Sequence, residues 1–224
     1  MLQLNHIKKM IDGNEVLSDI YYVFEEGRLY SVLAGSKEGK TVLLKCINKD
    51  YKLDSGVIKG RVNQVSLYVS DEDVLPEYVT GEDFITYLCQ LKKGSKKPVT
   101  YMDKVALNRN VRRKFIKEYN VEDKVRLFLA MYLIQKPHVM LFDDVLDTCS
   151  DSFVQEFFDI ISEECSRRIV IVTTGRLDIA RFLSDDILLL NKGELNEVSG
   201  DMLDAPEIKQ AIADILGEDA NDNY

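Results

Sequence analysis

The run LYSVLAGSKEGKTVLLKCI, Leu29 to Ile47, limits the fold of this chain more than any other stretch. Its apolar start reads as a strand, its middle as a tight Gly-containing turn, and its Lys-Thr pair as the start of a helix. A turn of that kind aims backbone amides and a helix N-terminus at one spot, where they suit phosphate. Such a loop also needs a Lys for the outer phosphates and a hydroxyl for Mg²⁺. Gly39, Lys40 and Thr41 supply the last Gly, the Lys and the hydroxyl, and Leu43 and Leu44 then anchor a helix in a core. The pattern G-x-x-x-x-G-K-[ST] is missed by one residue, because Ala34 stands first. Gly35 follows at once and would make the turn with a slight shift. The plainer alternative is a surface Gly-Lys-Thr at a helix start.

A second element favours the phosphate reading. HVMLFDDV is a short apolar run ending in two acids, as a buried parallel strand does. Asp143 at its end is placed to hold Mg²⁺, and Asp144 to orient or deprotonate a water.

The remaining pattern sets the organisation. IYYVFEEGRLYSVLAG is two apolar runs joined at Glu26-Gly27, which predicts a hairpin. Tyr21, Tyr22, Phe24 and Tyr30 are then cross-strand and core aromatics. Gly56–Ser70 alternates as further strand. From Gly81 the period becomes helical: residues 81–91, 101–119 and 121–136 read as helices, the last stopped by Pro137. Residues 151–167 read as a helix capped at Asp151-Ser152, with Phe153, Phe157 and Phe158 on its core side. RIVIVTTG is a second buried strand, LDIARFLS a short helix, and DILLLNKGEL a strand with a turn at Lys192-Gly193. Residues 205–216 form a last helix with Pro206 in its first turn. The class is α/β: a parallel sheet, a β-rich start and a helical insert.

Composition excludes several functions. The net charge is −9 in 224 residues, which disfavours a general nucleic-acid binder. MLQLNHIKKM has no apolar signal region. The longest apolar run, Leu127–Ile134, is far short of the roughly 20 residues that span a bilayer. The reading is a soluble protein whose membrane contact, if any, goes through a partner. Four scattered Cys without a CxxC read as core thiols in a reducing compartment. Two His are too few for a His-based metal site, and His138 at a strand entrance reads as structural. Lys92, Lys93, Lys96, Lys97, Arg109, Arg112, Arg113 and Lys114 form a basic cluster, read as a solvated face, or more sharply as a contact for anionic headgroups or a membrane subunit.

At this point the chain resembles the nucleotide-binding domain of ABC (ATP-binding cassette) transporters, from about residue 2 to about residue 216. EVLSDIYYVFEEGRLYSVLAGSKEGKTVLLKCI is similar to the family's opening β-subdomain and Walker A loop. VRLFLAMYLIQKPHVMLFDD resembles the helix, Pro and strand that end in Walker B, and IVTTGRLDIARFLSDDILLLNKGEL the switch region and next strand. The resemblance implies a P-loop NTPase fold of the ABC ATPase type, with an N-terminal antiparallel β-subdomain and an inserted α-helical subdomain. One domain would cover 1–216, with the helical part at about 72–135 and an acidic, frayed tail at 217–224. It implies ATP and Mg²⁺ as cofactors. Gly35, Ser36, Lys37, Glu38, Gly39, Lys40, Thr41 and Val42 would bind nucleotide, Thr41 and Asp143 would hold the metal, and Asp144 would be the catalytic acid. It implies a transmembrane transporter subunit and a second cassette as partners, and a cytoplasmic place at the membrane.

The departures are as informative. The family's LSGGQ signature falls on Tyr119, Asn120, Val121, Glu122 and Asp123, where Val121 crowds and two acids repel phosphate. The Q-loop Gln falls at Asp71, the catalytic Glu at Asp144, and the switch His at Gly175 or Thr174. The adenine-stacking aromatic falls near Ile11, and the D-loop Asp at Ser150, with Asp151 beside it. Groups that grip phosphate are kept, and groups that hydrolyse ATP or present it to a second cassette are altered. The expected function is an ATP–Mg²⁺-binding transporter subunit with weak or partner-dependent hydrolysis, pairing with a second cassette as a homodimer or, in preference, with a non-identical, more intact one. The alternative is a pseudo-ATPase interaction module, favoured by Ala34, Lys37 and Glu38 in a loop where strained non-Gly residues cost about 1 kcal/mol or more. A cassette acting on DNA or ribosomes is a third, weaker reading, given one cassette and an acidic balance.

Overall fold

Two runs whose residues are buried on both faces organise the molecule. In the computed structural model, described for residues 1–60, 65–69 (backbone), 75–93 and 95–217, Val139–Asp143 and Ile169–Thr174 are buried at every position. Successive side chains of a strand point to opposite faces. Thus Val139, Leu141, Ile169 and Ile171 enter one core, while Met140, Phe142, Val170 and Val172 enter another. A strand covered on both sides belongs inside a parallel sheet with helices above and below.

In chain order the strands are β1 (Leu2–Ile11), β2 (Asn14–Phe24), β3 (Arg28–Leu33), β4 (Ser55–Gly60), β5 (Val65–Val69), β6 (Val139–Asp143), β7 (Ile169–Thr174), β8 (Asp186–Asn191) and β9 (Glu194–Ser199). The large sheet has the order β5-β6-β7-β3-β8-β9, parallel except for β9. A separate antiparallel sheet, β2-β1-β4, packs over its first core. The described helices are α1 (Lys40–Asn48), α2 (Gly81–Leu91), α3 (Pro98–Lys104), α4 (Arg109–Arg112), α5 (Val121–Gln135), α6 (Asp151–Cys165), α7 (Leu177–Leu183) and α8 (Pro206–Leu216).

Three expectations are corrected. The hairpin at Glu26-Gly27 does not form: β2 pairs with β1 through the Asp12-Gly13 turn, and β3 crosses to the large sheet. Residues 30–33 are buried on both faces, a demand that only an interior strand of the large sheet meets. The helix expected over 101–119 is broken into α3, α4 and a 3₁₀ turn at Ile116–Glu118. Ala106 adopts φ 51°, and the Asn108 side chain accepts from Asn110 N, starting a new helix. The cap of α6 is Ser150, one residue before the expected pair.

Other readings hold in part: Tyr21 is exposed and not in the core, and Cys89 is half-buried. Tyr22, Phe24 and Tyr30 meet edge to face, while Tyr21 stays outside against His6. His138 is buried, with Nε2 3.2 Å from Glu26 Oε1. Cys46, Cys149 and Cys165 are buried free thiols. The basic cluster is exposed except for Arg112, which is buried against Asp103 at 2.6 Å. The Asp71 position and residues 218–224 of the expected tail lie outside the described residues.

Candidate functional site

The parallel strands β3, β6 and β7 lie side by side, so their C-terminal ends open onto one spot. Sheets of this kind bind ligands outside those ends. Leu33 closes β3, and Ala34 to Gly39 form the loop into α1. Leu43 N donates to Gly39 O at 2.8 Å, so the helix ladder starts at Gly39 and the first amides of α1 face out of the ladder.

The loop carries little backbone strain, which corrects the expectation for its non-Gly residues. Only Gly39 has a left-handed conformation there, with φ 96°. Its missing side chain is also required by packing, since a Cβ would lie 2.7 Å from Val16 Cγ1. Ala34, Ser36, Lys37 and Glu38 have ordinary φ values. Ala34 is buried; its N donates to Thr174 O at 3.2 Å and its O accepts from Lys40 Nζ at 3.0 Å. Gly35 is there for a different reason than the turn: a Cβ on it would fall 2.3 Å from Ile215 O at the end of α8. Glu38 is turned away, accepting from Lys192 N at 2.6 Å through Oε2. Ser36 and Lys37 are exposed, and Val42 packs against the core below.

The sequence-predicted chemistry meets at the strand ends. Thr41 Oγ1 donates to Asp143 Oδ2 at 2.6 Å, and Thr173 Oγ1 donates to Asp143 Oδ1 at 2.8 Å. Burial pushes the Asp143 carboxyl above the usual range, against the pull of both hydroxyls. Lys40 is buried, with Nζ 3.0 Å from Asp144 Oδ2. Asp144 has φ 51°, a conformation Asp tolerates better than most residues, and Asp144 Oδ1 lies 3.2 Å from Thr173 Oγ1.

Residues not singled out from the sequence complete the cluster. Asp147 accepts from Thr174 Oγ1 through one oxygen and from Gly175 N at 2.8 Å through the other. Burial raises its pKa. Arg176 pairs with Asp178 and lies 3.6 Å from Asp151. The signal for this group was the Thr173-Thr174 pair closing an otherwise apolar strand beside Gly175.

The signature positions lie elsewhere and are engaged within the chain. Asn120 caps α5 by accepting from Asp123 N at 2.8 Å. Glu122 Oε1 accepts from both N and Oγ of Ser150, at 3.0 and 2.7 Å, and these bonds lower its pKa. Tyr119 is buried, with its pKa pushed up to about 12 mainly by burial. Ile11 pairs with Asn14 at the β1–β2 turn.

The fold is shared with solved cassettes. One, "Dimeric structure of a post-hydrolysis state of the ATP-binding cassette MJ0796 bound to ADP and Pi", superposes with TM-score 0.75 at 17% identity, over 89% of this chain and 99% of that one. CbiO1 from Clostridium perfringens, described as part of the ABC transporter complex cbiONQ, matches with TM-score 0.75 at 16% identity, over 95% of this chain and 94% of that one. The chain has the fold of an ABC ATPase cassette. Its sequence relatives are ATP-binding proteins of ABC transporters. The cassette is 27% identical to the spermidine/putrescine import ATP-binding protein PotA of Fusobacterium nucleatum, over 97% of its own length and 62% of that protein's. It is 23% identical to the ABC transporter ATP-binding protein YtrB of Bacillus subtilis, over 94% of its length and 74% of that protein's. The cassette thus spans under two thirds of PotA and about three quarters of YtrB. No family model matches it.

Proposed function

We propose that this cassette is the ATP-binding subunit of an ABC-type transporter, holding ATP–Mg²⁺ at the Ala34–Val42 loop and turning it over slowly or only with a partner. The Thr41–Asp143 contact at 2.6 Å carries the reading. It sets a hydroxyl at a helix start against a carboxylate at a strand end, and Mg²⁺ prefers hard oxygen donors of this kind. These two residues would hold the ion, which when bound neutralises charge between the outer phosphates. Gly35 to Val42 would bind phosphate through backbone amides, and Lys40 through its ammonium.

Slow turnover follows from the same contacts. Asp144 would be the residue that activates water, and its carboxylate is engaged by Lys40 and Thr173. It is also one methylene shorter than Glu, and positional errors near 1 Å cost about a hundredfold. Gly175 offers no side chain to the phosphate end. The acids Glu122 and Asp123 in the first turn of α5 oppose a partner's phosphate there. These features favour pairing with a non-identical cassette whose own residues complete one site. A transmembrane subunit would dock on the α2–α4 region, whose exposed Tyr87 and Leu91 adjoin the basic cluster. No described helix is long and apolar enough to cross a membrane, so contact with one would go through that subunit.

A second reading, a pseudo-ATPase interaction module, keeps one observation in its favour, the self-engaged Lys40–Asp144 pair. Equilibrium titration with ATP, with and without Mg²⁺, decides between them. Saturable Mg²⁺-dependent binding that Lys40→Ala weakens about a hundredfold or more supports the first; binding that is absent, or indifferent to Lys40, supports the second.

A further inference from the structure

We propose that Asp147 is a positioning residue for the Thr174-Gly175 loop, fixing it beside the outermost phosphate of bound ATP. This rests on the ATP-binding reading and adds a residue to it. The other two acids of the cluster have their own duties: Asp143 holds Thr41 and Thr173, and Asp144 holds Lys40. Asp147 instead joins two loops. Its Oδ1 takes the Thr174 hydroxyl and its Oδ2 the Gly175 amide at 2.8 Å, across 27 and 28 residues of sequence. The clasp is closed from the other side, where Arg176 N donates to Thr174 Oγ1 at 3.0 Å and the Arg176 guanidinium reaches Asp147 O at 3.5 Å.

Gly175 shows what this clasp is aimed at. A Cβ built there would lie 3.4 Å from Asp147 Oδ2, 3.5 Å from Lys40 Nζ and 3.8 Å from Ala34 O. A methyl group fits those distances; a longer side chain would run into both the carboxylate and the ammonium. The Asp147 carboxylate and Lys40 therefore occupy the direction that a side chain at 175 would take. The loop's backbone borders the ammonium assigned to the outer phosphates. A charged acceptor orients an amide and a hydroxyl more firmly than a neutral one. Removing that charge should loosen the loop where only a third phosphate would feel it.

The test is calorimetric titration of ATP–Mg²⁺ and of ADP–Mg²⁺ into wild type, Asp147→Asn and Thr174→Val. The expected result is a loss of about tenfold or more for ATP in Asp147→Asn, with under about threefold for ADP. Thr174→Val keeps the shape but removes the hydroxyl's bonds to Asp147 and to Arg176 N, and should lose affinity in the same sense. A merely structural role would weaken both nucleotides alike, and an unchanged ratio in both Asp147→Asn and Thr174→Val overturns the proposal while leaving ATP binding intact. If Asp147→Asn does not fold, an unchanged ratio in Thr174→Val is enough to overturn it. A wild type that binds neither nucleotide overturns the ATP reading and this proposal with it.

Discussion

Two glycines in the phosphate loop do different work, and substitution separates them. Gly39 sits at φ 96° with Val16 Cγ1 2.7 Å from where a Cβ would go, so Gly39→Ala meets strain and a side-chain clash together. We expect it to cost about 1–3 kcal/mol in urea unfolding, with faster amide exchange around Val16. Gly35 has an ordinary φ, but its Cβ would strike Ile215 O at 2.3 Å. Because that obstacle is backbone, Gly35→Ala should loosen the end of α8 and leave exchange at Val16 as it was. Asp147 offers a pH test. Burial raises its folded pKa above the ordinary value of about 3.9, so the folded state binds its proton more tightly than the unfolded state. Its contribution to stability therefore falls as pH rises through the interval above 3.9. Relative to wild type, Asp147→Asn should gain melting temperature as pH is raised from 4 to 7.

Ser150 and Glu122 join α6 to the start of α5. Ser150 caps α6, and Glu122 accepts from Ser150 N and Oγ, so Ser150→Ala removes the cap and the hydroxyl bond to Glu122 while the amide bond stays. The expected loss is about 1–2 kcal/mol in denaturant unfolding, larger than for Ser152→Ala next to it. This joint was not legible in the sequence, where Glu122 reads only as an intruder in a phosphate-binding motif. What was legible follows a physical rule. Strands β6 and β7 are continuous apolar runs because both faces are covered, and α1 is announced by Gly39-Lys40-Thr41 with Leu43 and Leu44 behind. Thr41 and Asp143 could be paired from sequence because one motif ends a strand and the other starts a helix. The β2–β3 crossover misled because Gly27 makes a real turn, with φ 85°, between strands that then separate into two sheets. Asp147 stayed hidden because its partners lie at and just after the end of β7, 27 and 28 residues on, and no spacing rule connects them.

At the scale of the whole molecule, the proposed pairing with a second cassette turns on where the charges sit. Lys40, Thr41 and Asp143 gather at one end of the large sheet, while the α5 N-terminus carries Glu122 and Asp123. Two copies of this chain would each offer that acidic turn to the other's phosphates, at a Coulomb cost on both sides. In sedimentation velocity with ATP–Mg²⁺ the chain alone should stay monomeric, and a complex should form only when a second cassette with a neutral helix start is added. Appearance of a stable homodimer would count against the asymmetric pairing. The contact between α8 and Gly35 reaches beyond the proposed nucleotide site. The last turn of that helix rests on the wall of the phosphate loop and is packed through Ile212 and Ile215 against the core at Leu33, where β3 ends. A polypeptide fused after α8 would therefore start with its anchor already against the loop's backbone. Pulling, docking or crowding at that anchor acts as a lever with a very short arm, so a tag or added domain is felt as altered nucleotide affinity at this end and much less at the β1 end.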